Sequence, residues 1–381
     1  MQSTNQLRQE TQCVHSGTFR DEATRGLNTP IFTSSSFEYL DRAEVPYPRY
    51  FNTANQETVV AKLCALEHAE DGLVFGSGMA AMSTALMACL GPGDEVVMQD
   101  ELYGGTHAFA TEQFRKLNIG CHFTATSAAA ICAAATPRTK LILLESPTNP
   151  LLSVLDLKQV ADFAKARGIL TVIDNTFATP IYQQPIRLGI DLVVHSGTKY
   201  LGGHSDLCCG AVLGAQPLIR QVRHMARFLG GSLNAQTCYL LERSLKTLKL
   251  RVDQQTRNAG QVAAFLQTQP RVAKVNYPGL PSHPGHGIAK SQMTGFGAML
   301  SFELSSEAGD PKQFMRQLKL IKPALSLGHV ETTICSPVAT SHSKMTPEAR
   351  ARVGITDRLL RLSVGIEHVD DLVADLAQAL R

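Results

Sequence analysis

The stretch VVHSGTKYLGGHSD, Val193–Asp206, joins a predicted buried strand to a short polar segment that contains one lysine, Lys199. The strand begins in the run DLVVH, whose β-branched side chains are typical of a core strand. Hydroxyl residues precede the lysine and paired glycines follow it. Ammonium groups are usually solvated, so a lysine at the carboxyl end of a core strand needs a further explanation.

Similar short apolar strands come before this one along the chain, and helices separate them. The strands EVVMQ, LILLES and LTVIDNT alternate with helical patterns such as DLKQVADFAKARG. This alternation predicts right-handed βαβ units on a mainly parallel sheet. Upstream, ETVVAKLCALEHA predicts an amphipathic helix and MAAMSTALMACL a second helix.

The rest of the chain divides around this α/β region. Residues 1–51 show no sustained period and are predicted to form an extended arm, followed by a large α/β domain over residues 52–250. NAQTCYLLERSLKTLKLRVDQQTRNAGQVAAFL predicts one long helix or two abutting ones. In residues 251–381, GAMLSFELS and RLLRLSVGIE predict strands and HVDDLVADLAQAL a closing helix, which indicates a smaller α+β domain.

Composition limits the kind of protein and its partners. Of 381 residues, 44% are hydrophobic, 18% are charged and none is Trp. These proportions are typical of a globular protein with much buried surface, including a subunit interface. The formal net charge of +3 gives no reason to expect a nucleic acid or an anionic membrane as partner.

Cysteine usage and the first residues predict a cytoplasmic location. The nine cysteines are odd in number, contain no CxxC pair and lie mostly in apolar contexts, as expected for reduced thiols. No metal site is predicted. The beginning MQSTNQLRQETQ is polar, which argues against a secretory signal. No apolar run approaches the roughly 20 residues that span a bilayer.

Polar residues gather where the predicted strands end. In parallel α/β sheets, ligands bind beyond the carboxyl ends of the strands. The residues at these ends are Glu145, Asn149, Asp174, Ser196, Thr198 and Lys199. In addition, VFGSGMAA places Gly76, Ser77 and Gly78 at a helix start, where free N–H groups favour a phosphate. Each signal is weak alone, and their placement on one sheet edge is far more specific.

One cofactor requires a phosphate cradle, a carboxylate and a strand-end lysine together. Pyridoxal phosphate bonds covalently to a lysine, while a carboxylate holds its ring nitrogen protonated. Lys199 is therefore predicted to be the covalent anchor. Ser196 and Thr198 are predicted to hydrogen-bond the phosphate.

The motifs resemble the cysteine/methionine-metabolism (trans-sulfuration) family of pyridoxal-phosphate enzymes, which includes cystathionine γ-synthase, the cystathionine lyases, methionine γ-lyase and homoserine sulfhydrylases. The resemblance covers nearly the whole chain. It rests on TPIFTSSSF, YPR, GSGMAA, YGGT, ESPTNP, IDNTFATP, HSGTKYLGGHSD and RLSVGIE, in the family's order and spacing. It implies the fold-type I architecture of these transferases, with a seven-stranded, mainly parallel sheet and residues 52–250 as the cofactor-binding domain.

The resemblance also implies roles for individual residues. Tyr47 and Arg49 correspond to arm residues that reach the cofactor phosphate of a neighbouring subunit, so a site shared across a dimer is expected, within a tetramer built as a dimer of dimers. The remaining cofactor residues implied are Gly78 and Met79 at the phosphate, Tyr103 stacked on the ring, Asp174 at the ring nitrogen and Lys199 as anchor. The substrate residues implied are Arg361, as the carboxylate clamp, with Asn149 and Ser326 nearby.

The segment KPALSLGHVE departs from the family pattern in two places. Many γ-synthases and cystathionine γ-lyases have Glu before the SLGG serine, where this chain has Leu325. His329 replaces the second glycine. Leu325 either favours an apolar or shorter substrate tail or reflects lineage, and the role of His329 is open. Other departures, Pro48 and Gly197 among them, leave the cofactor chemistry intact.

Three functions follow from these residues. The first is a carbon–sulfur lyase that acts by β- or γ-elimination on a sulfur amino acid, namely cystathionine, methionine, homocysteine or cysteine, with Lys199 as base and Tyr103 assisting the leaving group. The second is γ-replacement, as in cystathionine γ-synthase or O-acylhomoserine sulfhydrylase. The third, a non-catalytic cofactor-binding protein, conflicts with the joint retention of Lys199, Asp174, Tyr103 and Arg361.

Overall fold

The structure is a computed structural model that describes residues 7–343 and 346–381. The first six residues of the predicted arm therefore lie outside the described residues. Two sheets organise the described part of the chain, and the helices pack on and between them.

The larger sheet has seven strands in the order β1-β7-β6-β5-β4-β2-β3. Its strands are β1 Asp71–Phe75, β2 Glu95–Gln99, β3 Gly120–Thr124, β4 Thr139–Glu145, β5 Leu170–Asp174, β6 Leu192–Ser196 and β7 Gly210–Gly214. Only β7 runs against its neighbours; it pairs antiparallel with both β1 and β6. The prediction of a mainly parallel sheet is confirmed.

Helices cover both faces of this sheet because its central strands are apolar on both sides. The helices of this region are α2 Ala54–Glu67, α3 Gly78–Cys89, α4 Gly104–Phe109, α5 Ala128–Ala133, α6 Leu157–Arg167, α7 Thr179–Tyr182 and α8 Gln216–Leu229. In β4, Leu141 and Leu143 join the core beneath α3 and α8, whereas Ile142 and Leu144 join the core beneath α5 and α6.

The second sheet has five strands in the order β10-β11-β12-β9-β8. Its strands are β8 Val272–Asn276, β9 Met299–Leu304, β10 Lys322–Pro323, β11 Thr333–Cys335 and β12 Leu359–Ser363. The accompanying helices are α9 Ala235–Leu245, α10 Leu248–Gln267, α11 His286–Gln292, α12 Pro311–Gln317, α13 Pro347–Arg352 and α14 Val369–Ala379. The segment predicted as one or two helices forms two, α9 and α10. The domain boundary predicted after residue 250 falls inside α10 and stays a prediction.

The predicted arm is not extended throughout, because it contains the helix α1, Gln9–His15. Seven residues are too few to show a helical period in a sequence. Tertiary contacts hold this helix: Cys13 is buried, and the Lys62 Nζ of α2 donates hydrogen bonds to the carbonyl oxygens of Cys13 and Val14, at 3.1 and 3.3 Å. A short 3₁₀ turn, Pro48–Tyr50, also lies in the arm.

Within residues 7–343 and 346–381, no helix is both long enough and apolar enough to cross a bilayer.

Candidate active site

A cavity of about 420 Å³ lies where the parallel strands of the large sheet end, against the second sheet. The predicted site residues that line it are Gly78, Met79, Tyr103, Asn149, Asp174, Ser196, Thr198, Lys199, Leu325, Ser326 and Arg361. Gly78 and Arg361, which are 283 positions apart in the chain, thus line one space, because β4, β5 and β6 end at the same edge and β12 faces them.

Two carboxylates, one buried and one half-buried, stand side by side at this edge. Glu145 ends β4 and Asp174 ends β5, and the two residues are register partners. The Glu145 side chain accepts the backbone N–H of Tyr103 at 2.7 Å and that of Asn149 at 2.8 Å. Burial and the charge of Asp174 raise the pKa of Glu145 well above its ordinary value. Glu145 thereby ties the backbones of two predicted site residues to the sheet.

Within the part of the chain that the structure describes, Asp174 uses one carboxylate oxygen for hydrogen bonds and leaves the other without one. Its Oδ1 accepts the N–H of Thr176 at 3.0 Å and the hydroxyl of Thr176 at 2.5 Å. The same hydroxyl oxygen accepts the backbone N–H of Ser196 at 2.8 Å, which links β5 to β6. Burial raises the pKa of Asp174. A cationic ring nitrogen beside this carboxylate would offset the cost of keeping it charged.

Lys199 reaches across the cavity to the second half of the chain. Its Nζ donates a hydrogen bond to the Ser326 Oγ at 2.7 Å. Burial and the nearby Arg361 charge lower the pKa of Lys199. Its backbone is fixed as well, since its N–H donates to Ser196 O and its carbonyl accepts from the Gly203 N–H. A lysine with a lowered pKa is suited to act as a base or nucleophile.

Arg361 lies in the middle of β12 with its guanidinium pointing at the cavity. Nη1 donates to Asn149 Oδ1 at 2.9 Å, and Nη2 donates to the Ser326 carbonyl at 3.1 Å. The Nε of this buried side chain has no hydrogen-bond partner among the described residues. A buried donor without a partner is unfavourable, and a ligand carboxylate would satisfy it.

The start of α3 offers backbone donors at the opposite end of the cavity. Ser77 caps the helix by accepting the Ala80 N–H at 3.0 Å, which leaves the N–H groups of Gly78 and Met79 directed outward. A Cβ at Gly78 would lie 2.7 Å from the Ser196 Cβ, so only glycine lets the two backbones approach this closely. The Thr198 hydroxyl bonds the backbone of Cys209, donating to its carbonyl and accepting its N–H.

Tyr47 and Arg49 lie outside this cavity. Arg49 is exposed and donates from Nη1 to the Arg227 carbonyl at 2.7 Å, with its guanidinium over the rings of Tyr47 and Tyr50. Neither residue therefore contacts the cavity of its own chain, and their predicted place at the site of a neighbouring subunit stays a prediction.

Comparisons with known proteins identify the family. The model of the Cys/Met metabolism PLP-dependent enzyme family matches residues 10–381. The chain belongs to this family. It is 42% identical to a cystathionine gamma-lyase of Bacillus subtilis (98% of this chain, 99% of the relative) and 39% identical to a cystathionine beta-lyase of Lactococcus lactis subsp. cremoris (97% and 98%).

Solved structures match across the same length. The crystal structure of cystathionine gamma-lyase from Lactobacillus plantarum complexed with L-serine has a TM-score of 0.94 at 39% identity, covering 98% of each chain. Cystathionine gamma synthase from Xanthomonas oryzae pv. oryzae, in complex with aminoacrylate and cysteine, has a TM-score of 0.94 at 37% identity and the same coverage. The predicted fold class and family are confirmed.

As a PLP-dependent enzyme of Cys/Met metabolism, the protein uses pyridoxal phosphate. The cavity fits this group at both ends. At one end, the backbone N–H groups at the start of α3 suit a phosphate, and glycine at position 78 lets this helix start come close to Ser196. The unengaged oxygen of Asp174 suits a protonated ring nitrogen, and the Lys199 amine lies within the same cavity.

Two positions that matter to this geometry had no role predicted from the sequence. Glu145 stands at a strand end, which is a signal for function, but its bonds to Tyr103 and Asn149 depend on how two loops return to the sheet. Thr176 follows Asp174 by two residues, the spacing at which a hydroxyl bonds a preceding carboxylate, and this signal was available in the sequence.

Proposed function

We propose that the protein is a carbon–sulfur lyase that cleaves a sulfur amino acid, namely cystathionine, methionine, homocysteine or cysteine, by β- or γ-elimination. The observation that carries the proposal is the convergence of the Lys199 amine and the Arg361 guanidinium on one cavity of about 420 Å³. The names of two relatives, a cystathionine gamma-lyase and a cystathionine beta-lyase, support the same reaction class.

Arg361 and Asn149 would hold the amino acid by its carboxylate. The guanidinium has one buried donor to spare, and Asn149 fixes its plane through Nη1. A carboxylate bound there leaves the α-carbon facing Lys199, whose Nζ lies at Ser326, beside the same guanidinium. The substrate is thereby oriented before any bond is broken.

Lys199 would act as the base. When bound, pyridoxal phosphate withdraws electrons from the α-carbon of the substrate and so acidifies its proton. Burial and Arg361 lower the pKa of Lys199, which increases the share of the neutral amine that can accept that proton. For a leaving group on the γ-carbon, Lys199 would also have to remove a proton from the β-carbon.

Tyr103 would assist the leaving thiol. Its backbone N–H is fixed by Glu145, while its side chain lines the cavity and is 43% exposed in one chain. The phenol can thus present a flat face to a cofactor ring and a proton donor to a departing sulfur. Its assignment to both tasks rests on the family resemblance.

The second candidate is γ-replacement with an acylated homoserine donor and a thiol acceptor. This reaction uses the same residues. The likeness to cystathionine gamma synthase from Xanthomonas oryzae pv. oryzae supports it as the second candidate. Elimination consumes water and releases a keto acid and ammonia, whereas replacement releases neither. The products therefore separate the two reactions.

We also propose a cytoplasmic homo-oligomer, a dimer of dimers, in which Tyr47 and Arg49 of one subunit reach the cofactor phosphate of its neighbour. Both side chains stand outside the cavity of their own chain, and Arg49 lies exposed at the surface, where it donates to the Arg227 carbonyl. Within one chain, the predicted phosphate donors are the start of α3 and the hydroxyls of Ser196 and Thr198, none of which is a charged side chain. A cationic side chain from a neighbouring subunit would add a charge-assisted hydrogen bond to the phosphate. The nine free cysteines are typical of a reducing compartment.

The test is product analysis with the purified holoenzyme. Cystathionine, methionine, homocysteine and cysteine are incubated separately, and the keto acid is identified. Pyruvate reports β-elimination and 2-oxobutanoate reports γ-elimination. If no keto acid forms from any of them, and an acylated homoserine plus cysteine gives cystathionine instead, the lyase proposal is wrong and γ-replacement takes its place.

A further inference from the structure

His329, where the family pattern has glycine, lies directly behind Ser326. Its Nε2 is 3.1 Å from the Ser326 Oγ, which is itself 2.7 Å from the Lys199 Nζ. The three side chains therefore form a continuous hydrogen-bonded chain that ends on the lysine of the cavity. The imidazole is buried, with the residue 5% exposed.

The loop that carries this chain is firmly held. Ser326 has a φ of +73°, a left-handed conformation that is costly for serine and persists only where the surroundings enforce it. The Arg361 guanidinium binds the Ser326 carbonyl, the Gln255 side chain donates to the His329 carbonyl at 2.7 Å, and Gly328 donates to the Ser363 hydroxyl. The alignment of His329 with Ser326 is thus part of the fold rather than one of many loop conformations.

The number of available protons fixes the direction of the hydrogen bonds between Lys199, Ser326 and His329. A lysine ammonium can only donate, so the Ser326 oxygen accepts from Lys199. The single hydroxyl proton of Ser326 then needs an acceptor, and the His329 Nε2 is the one that the described residues provide. Among the described residues, the buried His329 Nδ1 has no hydrogen-bond partner, so no competing bond there selects the other tautomer.

Burial, together with the charge of Lys199, lowers the pKa of His329 and so favours the neutral ring, which can accept a hydrogen bond. Burial lowers its pKa most, followed by the charge of Lys199, and His204 acts in the same sense. Glu331 and Asp206 oppose this shift without reversing it. Gln255, which approaches from α10, is uncharged.

We propose that His329 is a positioning residue that acts through Ser326. By accepting a hydrogen bond from the serine hydroxyl, it leaves the serine oxygen facing Lys199 as an acceptor. The freed lysine is then held as a hydrogen-bond donor at the cavity wall. This inference rests on the proposed role of Lys199 as the residue that is displaced from the cofactor by substrate. Its consequence is that His329 stabilises the ammonium form of the freed lysine relative to the amine. Without the histidine, the Ser326 proton is free to point at Lys199 and to favour the amine instead.

The return of Lys199 to the cofactor measures this effect in the holoenzyme. Glycine has no leaving group, so it displaces Lys199 without further reaction, and dilution lets the lysine return with recovery of the resting visible spectrum. Only the neutral amine can return, so the return rate rises with pH and its midpoint reports the pKa of the freed lysine. His329→Ala is expected to move this midpoint to lower pH by about half a unit to one unit, the size of one net hydrogen bond.

Three further variants make the result specific. His329→Leu removes the acceptor and keeps side-chain volume, so it should show the same shift even if the alanine variant does not fold. His329→Gln places an amide oxygen near the lost Nε2 and should restore at least half of the shift. In a Ser326→Ala background, His329→Ala should add no shift, because the connection is already broken.

The matched control is His204→Gln, since His204 bonds the Gly202 carbonyl and does not touch Ser326. It should leave the midpoint near that of the wild type. An unchanged midpoint in folded His329→Leu, or an equal shift in the Ser326→Ala background, would overturn the inference. A wild type that glycine does not perturb spectrally would instead contradict the proposed role of Lys199 itself.

Discussion

Arg361 of β12 donates a 2.9 Å hydrogen bond to Asn149, and this bond joins the second sheet to the loop that follows β4 of the first. The two residues are 212 positions apart in the chain. Because Glu145 holds the Asn149 backbone, the guanidinium is oriented by the large sheet although it belongs to the small one. If Arg361 binds the substrate carboxylate as proposed, substrate binding and the contact between the two sheets depend on the same hydrogen bond.

Replacing Arg361 by Lys should weaken substrate binding more than it slows chemistry. Lysine keeps the charge but loses the planar fork and the bond to Asn149. We expect KM to rise roughly ten- to hundredfold, as for the loss of a hydrogen bond to a charged group, while the visible spectrum of the cofactor is kept. Steady-state kinetics on the preferred substrate measure this. An unchanged KM would show that the carboxylate binds elsewhere.

Lys199→Ala should yield a folded protein without the resting visible absorbance of the holoenzyme. The substitution removes both the covalent anchor and the base, so turnover should fall by several orders of magnitude. Absorbance spectra after reconstitution with pyridoxal phosphate measure the first effect and keto-acid release the second. Turnover near the wild-type level would assign the base to another residue.

Mixing two inactive variants tests the shared site. In a hybrid dimer of Arg49→Ala and Lys199→Ala subunits, one site combines an intact Lys199 with an intact Arg49 from its neighbour. Partial recovery of activity is expected after subunit exchange, and each variant mixed with itself is the control. Absence of recovery, with exchange demonstrated by differently tagged subunits, would mean that each chain completes its own site.

Leu325→Glu should shift preference toward cystathionine and away from methionine. Leu325 lines the cavity at its mouth and is 72% exposed in one chain, so a carboxylate there stays hydrated within that chain and can meet the distal ammonium of cystathionine. A change of this kind is worth roughly 1–3 kcal/mol, or about ten- to two-hundredfold in relative kcat/KM.

The measurement for Leu325 is the ratio of kcat/KM for the two substrates, which cancels general damage to the enzyme. Leu325→Gln is the matched control, since it has the size of glutamate without its charge. An unchanged ratio in the folded glutamate variant would leave Leu325 as a mark of lineage.

Lys62 should make stability depend on pH in the alkaline range. Its side chain is fully buried in α2, and desolvation lowers its pKa from 10.5 to about 8. Below about pH 8 the lysine is charged whether the chain is folded or unfolded, and the cost of burying the charge is fully present. Between about pH 8 and 10.5 the unfolded chain binds more protons, so the stability contribution of Lys62 rises with pH.

The comparison is with Lys62→Met, which lacks the titrating group. The stability of the wild type relative to this variant should increase by up to ~3 kcal/mol from pH 7.5 to pH 10.5. Melting temperatures of both proteins across this range measure the change, and titrations common to the two cancel in the difference. A constant difference would mean that Lys62 keeps its proton when buried.

The local pattern of the sequence predicts those parts of the molecule that depend on neighbours in the chain. Strands such as β4 and β6 are continuous apolar runs because both of their faces are buried. Lys199 and Asp174 were recognisable as site residues because a polar group that directly follows such a run must lie at the sheet edge. The helix α1 was missed, since seven residues stabilised by a distant lysine carry no period of their own.

By itself, then, the sequence determined the fold class, the sheet edge that carries the site and the lysine at its centre, because each follows from periodicity and from the order of residues along one strand. Tertiary structure alone decided that Glu145 accepts hydrogen bonds from the Tyr103 and Asn149 backbones and that the His329 ring contacts Ser326. It also decided that one buried Arg361 donor has no partner among the described residues. The physical reason is that these are contacts set by strand register and by the packing of one sheet against another. Side chains that meet in this way leave no pattern in the sequence around either partner.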